Sequence, residues 1–172
     1  MAKTKTSNIT KGGLYTALSL LFIYLSNILP TNKFFILIIV SCIIPISIIT
    51  TNLRNSITIY AATSLLSLLL LGIKLNVLSY IIFFGSYGFI KYYIEKINKL
   101  PIEILLKLLF ANICAVIIYL IYKLIFVVDI IAATKFPIAL LIIAVEIIFL
   151  LYDYALTLFI SYVGKNYLKR LK

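Results

Sequence analysis

Histidine is absent from this 172-residue chain, and cysteine and acidic residues are scarce, with two Cys and five Asp plus Glu. Without histidine there is no His-ligated metal, no His-ligated haem and no His-based acid/base catalysis. Cys42 and Cys114 each lie inside an apolar run, which supports neither a disulfide framework nor a metal site. The chain also lacks a Walker phosphate loop, a GxSxG nucleophile elbow, an HExxH zinc motif and a paired-Asp metal motif. The expectation is therefore a non-enzymatic protein with no catalytic residue, no metal and no cofactor. Charge itself is sparse, at 12% of residues. A soluble domain of this size carries about a quarter. Such a chain cannot cover its surface with polar groups, so its solvent must be largely lipid.

What is present is apolar. Hydrophobic residues make up 64% of the chain and the mean hydropathy is +1.18. The apolar runs recur along the whole length, each approaching the roughly 20 residues that cross a hydrocarbon core. Six spans are predicted, at residues 12–29, 34–50, 56–72, 77–93, 104–127 and 137–163. Pro30 stops the first, Pro45 interrupts the second mildly, and Pro101 breaks the chain in its most charged loop. The second and third spans are short, so a re-entrant second segment stays open as an alternative. No room is left for a soluble domain, and residues 1–172 read as a single all-α transmembrane bundle. The first span is expected to be an uncleaved helix. The residues after its apolar stretch, Ser26-Asn27-Ile28-Leu29-Pro30, offer no small-x-small cleavage site.

Lys and Arg number 16. In a soluble protein such a charge would suggest nucleic acid; here the bases sit in short connectors, and no nucleic-acid partner is expected. With the N-terminus inside, 12 bases fall on the cytoplasmic side and 4 (Lys33, Lys74, Lys123 and Lys135) on the outer side. The positive-inside rule then places both termini in the cytoplasm. An Ile-, Lys- and Asn-rich vocabulary suggests an AT-rich bacterial genome and hence a bacterial plasma membrane.

Function has to be sought in polar groups that lipid disfavours. Glu146 and Asp153 lie two helical turns apart on the sixth span and project from nearly the same face. A mid-membrane carboxylate costs on the order of 2.5–3.5 kcal/mol on insertion scales, so that face should turn inward. Asp153 is expected to form an internal ion pair with Lys91 or Lys107. For Glu146 two alternatives stand: a substrate- or ion-facing role, or a hydrogen bond to the mid-span amide of Asn112. A carboxylate in a pocket would favour an amine or cationic-ring ligand, because an isolated buried anion is disfavoured. Tyr80 and Tyr87 share one face of the fourth helix and are candidates to line a pocket. Gly13 and Ala17, four apart on the first helix, form a small-residue face that lets another helix approach closely.

On these features the whole chain resembles the substrate-binding S components of energy-coupling-factor (ECF) vitamin transporters. The likeness lies in size, six compact helices, cytoplasmic termini and a basic N-terminus leading into a first helix with small residues. It is a likeness of architecture, with no substrate-specific motif matched. In that family an Ala-x-x-x-Ala face on the first helix packs against a transmembrane coupling subunit. The matching positions here are Gly13 and Ala17, with Gly in place of the first Ala. The resemblance implies an outer-side pocket for a vitamin-like small molecule, built from the later helices and capped by the connector at 29–34, which holds Asn32. It further implies cytoplasmic ATPase partners. The substrate-contacting candidates are thus Glu146, Asn112, Tyr80, Tyr87 and Asn32. Two other classes remain. A structural or assembly subunit predicts a filled interior and carboxylates paired to lysines. A small enzyme acting on lipids or prenyl chains has too few convergent acids.

Overall fold

The computed structural model describes residues 2–29, 32–126 and 138–170. Among these residues there is no strand. Six helices are long and apolar enough to cross a membrane. They are α1 (Ala2–Ile28), α2 (Lys33–Thr50), α3 (Leu53–Leu71), α4 (Leu75–Ile97), α5 (Leu100–Phe126) and α6 (Ile138–Arg170). The helices run alternately up and down, giving a proximal end, where α1 begins and α6 finishes, and a distal end. The third helix begins before the apolar run of the sequence because a polar cap starts it, and the fourth also runs past its apolar stretch. Asn52 accepts a hydrogen bond from the Asn55 amide at 2.8 Å and so starts α3 before Ser56. The first helix likewise begins well before Gly12. Pro45 sits inside α2 without ending it. The predicted 129–135 connector lies outside the described residues, as do Pro30 and Thr31 of the predicted cap.

The packing is inverted relative to a water-soluble bundle. Large aliphatic side chains such as Leu14, Leu69, Leu105, Leu124 and Ile148 point outward, while Ser19, Ser26, Ser47, Ser56, Thr63 and Ser67 are fully buried. Small hydroxyls bury cheaply where they return their hydrogen to their own helix, as all of these but Ser19 do. Ser26 donates to the Ile23 carbonyl at 2.7 Å and Thr63 to the Ile59 carbonyl at 2.8 Å. What remains is a short side chain that lets helix axes approach. Across the α2–α3 corner, Ser47 donates to Ser56 at 2.7 Å.

Helices α2 and α4 form the centre. Gly88 of α4 lies so close to α2 that an added Cβ would sit 3.0 Å from Ile44 and Pro45. Helix α1 is tied to its neighbours near both ends. Asn55 donates to the Asn8 carbonyl at 3.0 Å proximally, and Asn76 donates to the Ser26 carbonyl at 2.8 Å distally. Within α4, residues Tyr80–Phe84 form a π-helical turn. The widened turn frees carbonyls that other helices take up. The Tyr60 hydroxyl of α3 donates to Ile81 at 2.6 Å, and the Cys114 thiol of α5 donates to Ile82 at 3.5 Å. Single π-turns occur frequently at functional sites.

Candidate functional site

Two features stand out, an ionic cluster in the proximal half and an apolar cavity in the distal half. The cluster is assembled from three helices. Asp153 of α6 lies between two lysines, pairing with Lys91 of α4 and, at 2.9 Å, with Lys107 of α5. Glu95, one helical turn beyond Lys91, is 2.7 Å from it and 3.1 Å from Lys107. The Tyr87 hydroxyl donates to Asp153 at 2.6 Å, and Lys91 donates to the Thr157 hydroxyl at 2.6 Å. Two ammonium groups thus face two carboxylates, and the cluster is neutral overall. Lys91 is only 1% exposed. So deep a charge is tolerable only because the surrounding hydrogen bonds replace its lost hydration.

The sequence offers Lys91 and Lys107 as alternative partners for Asp153, and the structure places both on it. Tyr87, a pocket candidate, instead spends its hydroxyl on this carboxylate. Glu95 and Thr157 were not singled out from the sequence. Glu95 falls in the charged loop region, yet its position four residues after Lys91 on one helical face was a readable signal.

The distal cavity has a volume of about 450 Å³ and lies between α2, α4, α5 and α6. Its walls are mainly rings and small side chains, including Phe34, Phe83, Phe149, Tyr152, Ala111 and Ala115. The rings pack on one another. Phe83 meets Phe149 at a centroid distance of 5.9 Å and Tyr152 at 6.0 Å. Behind this layer, Tyr87 stacks on Phe83 at 5.8 Å and so links the cavity wall to Asp153. The π-turn supplies Phe83 and Phe84 to the wall together. A second cavity, about 390 Å³, opens beside the ionic cluster, with Gly88, Lys91 and Glu95 in its wall.

The other sequence candidates separate. The Asn112 side chain donates to Glu146 at 3.2 Å and to its own-helix Leu108 carbonyl at 3.0 Å. Asn112 is exposed and Glu146 half-buried, and neither lines the distal cavity. The amine-ligand expectation required a carboxylate in the pocket, and none lines the cavity among the described residues. Glu146 and Asp153 do share one side of α6, but they face different partners. Tyr80 is fully buried outside the cavity wall, 6.4 Å from the Tyr60 ring, with no hydrogen-bond partner for its hydroxyl among the described residues. Asn32 caps α2 in a left-handed conformation (φ 65°), exposed at the distal end and two positions before the cavity residue Phe34. Gly13 and Ala17 are exposed on α1, and nothing lies within 4 Å of the place a Gly13 Cβ would occupy. Gly12 beside it packs instead against Asn55. Among the described residues no group of His, Cys, Asp and Glu is arranged to hold a metal. No family model, curated protein or solved structure matches the chain.

Proposed function

We propose that this chain is a membrane-embedded capture subunit that binds a small molecule in its distal cavity and delivers it with the help of separate coupling and ATPase subunits. The observation that carries this reading is the cavity itself. Ligand sites are concave, mostly apolar spaces of about 300–1,000 Å³ placed between helices of a bundle. A chain with no nucleotide-binding loop cannot power uptake by its own ATP hydrolysis, so on this reading separate ATPase subunits drive it. The ECF-type architecture supplies such an arrangement. The 12-to-4 bias of basic residues orients the bundle with its termini and ionic cluster toward the cytoplasm and its cavity toward the outside of a bacterial plasma membrane.

Native mass spectrometry of the purified full-length protein tests this. A retained non-lipid small molecule is expected in the wild type and should be lost in Ala115→Phe, which fills the cavity. If both proteins retain only lipid, the capture role falls and an assembly subunit becomes the better description. That second role has one observation in its favour: the half-buried carboxylate of Asp153 is engaged by two lysines.

A further inference from the structure

We propose that the distal cavity takes an uncharged molecule built on fused or linked aromatic rings and anchored by a single hydrogen bond to Ser79. This deepens the capture role and rests on it only in treating the cavity as a ligand site.

Charge is the first consideration. Among the described residues, no Asp, Glu, Lys or Arg lines the cavity. The two nearest acids in sequence are both engaged elsewhere. Asp153, next to the wall residue Tyr152, is held by Lys91, Lys107 and Tyr87. Glu146, next to the wall residue Val145, receives the Asn112 amide. An ionised ligand would lose its hydration here and gain no counter-charge, which is strongly unfavourable. Phosphates, carboxylates and protonated alkylamines are therefore poor occupants.

The hydrogen-bonding groups come next. Among the described residues, Ser79, Tyr119 and Tyr152 bring polar side chains to the wall. The Tyr152 hydroxyl is donated to Ser41 at 2.8 Å, and Tyr119 has an interaction of its own. Ser79, one residue before the π-turn, is 6% exposed, and its hydroxyl makes no hydrogen bond among the described residues. Its hydrogen-bonding capacity is therefore available to a ligand.

Shape gives the ring preference. Phe83 and Phe84 stand nearly perpendicular, at 84° with centroids 5.1 Å apart, and Phe84 meets Tyr152 at 79°. The wall therefore offers both ring faces and ring edges. Ala111 and Ala115 provide the low wall of α5. An aromatic ligand returns edge-to-face and stacked contacts that an acyl chain cannot.

The test uses a matched pair of fluorescent probes with the full-length protein in lipid nanodiscs. N-phenyl-1-naphthylamine is uncharged, and 1-anilinonaphthalene-8-sulfonate carries the same rings plus a sulfonate. Nanodiscs holding Ala115→Phe give the signal from partitioning into lipid, and Ala111→Leu serves the same purpose should the first variant melt early. Saturable binding of the uncharged probe is expected, absent from both filled variants. Ser79→Ala should weaken it about 2- to 10-fold, the range for one lost neutral hydrogen bond. The sulfonate should bind at least about 10-fold more weakly, as expected for a charge without a counter-charge. Equal or tighter sulfonate binding that the filled variants abolish would overturn the ligand class and leave the capture role intact. Uncharged-probe signal identical in wild type and filled variants would also overturn it. The capture role fails separately, on the mass-spectrometric result above.

Discussion

At the scale of single residues, the ionic cluster makes the sharpest demands. Lys91 is buried and the Asp153 side chain only 14% exposed, and removing either leaves its partners with an unbalanced charge. Lys91→Met should lower stability by about 3–5 kcal/mol, the usual cost of breaking a buried pair. The double variant Lys91→Met/Asp153→Leu leaves Lys107 paired with Glu95 at 3.1 Å, so neutrality is restored. It should recover most of the loss. Thermal melting in detergent of the two single variants and the double compares them; additive losses would show that the pair is not coupled. Glu95, about one third exposed at 34%, belongs to the screened edge of the cluster. Glu95→Gln should cost about 1 kcal/mol or less. The sequence made the cluster half legible. A carboxylate in an apolar span must find a cation at its own depth, and Asp153 has two within reach. What pattern alone could not supply is that α4 and α5 bring both lysines to one oxygen pair, or that Tyr87 joins them. Those are consequences of helix rotation, which a span of nearly uniform hydropathy leaves undetermined.

At the scale of helices, the close approaches are fixed by two glycines of α4 that face different neighbours. A Cβ at Gly85 would stand 2.7 Å from the Tyr60 ring and 3.0 Å from the Tyr80 carbonyl. The ring is held by its hydroxyl on Ile81, and the carbonyl belongs to the backbone, so neither yields readily. Gly85→Ala should therefore destabilise by about 1–3 kcal/mol, as overpacking does. Gly13→Ala, with open space around it, should not destabilise, since Ala is the better helix former by up to about 1 kcal/mol. Melting temperatures of the two variants give the comparison, and equal effects would mean that the packing at Gly85 is looser than the structure has it. The sequence announces the helices themselves because an apolar run of span length has few other states. It does not announce the π-turn. Tyr80–Phe84 is as apolar as its surroundings, and the extra residue in that turn follows from where Tyr60 and Cys114 collect carbonyls.

At the scale of the molecule, the same polarity inversion that places hydroxyls inside leaves apolar faces outside, and most of these need only lipid. The α1 face differs in relief. Gly13 and Ala17 form a shallow strip flanked by the exposed Leu14, Leu18 and Leu21. Gly12, by contrast, is used within the bundle, against Asn55 and Ile59 of α3. The strip therefore contributes nothing to folding that the described contacts reveal, and a second helix could approach there closely. Ala17→Leu adds an isobutyl group in the middle of the strip and points it away from the bundle. It should leave the melting temperature and probe binding in the cavity unchanged and, on the capture-subunit proposal, remove the proposed coupling and ATPase subunits from material isolated from native membranes. Native mass spectrometry of that complex reads the partners and the bound small molecule together. Loss of partners with ligand retained would separate docking on α1 from capture in the cavity, as two functions on opposite parts of one bundle. Partners retained in Ala17→Leu would place the docking surface elsewhere, with the exposed outer sides of α5 and α6 the next to test.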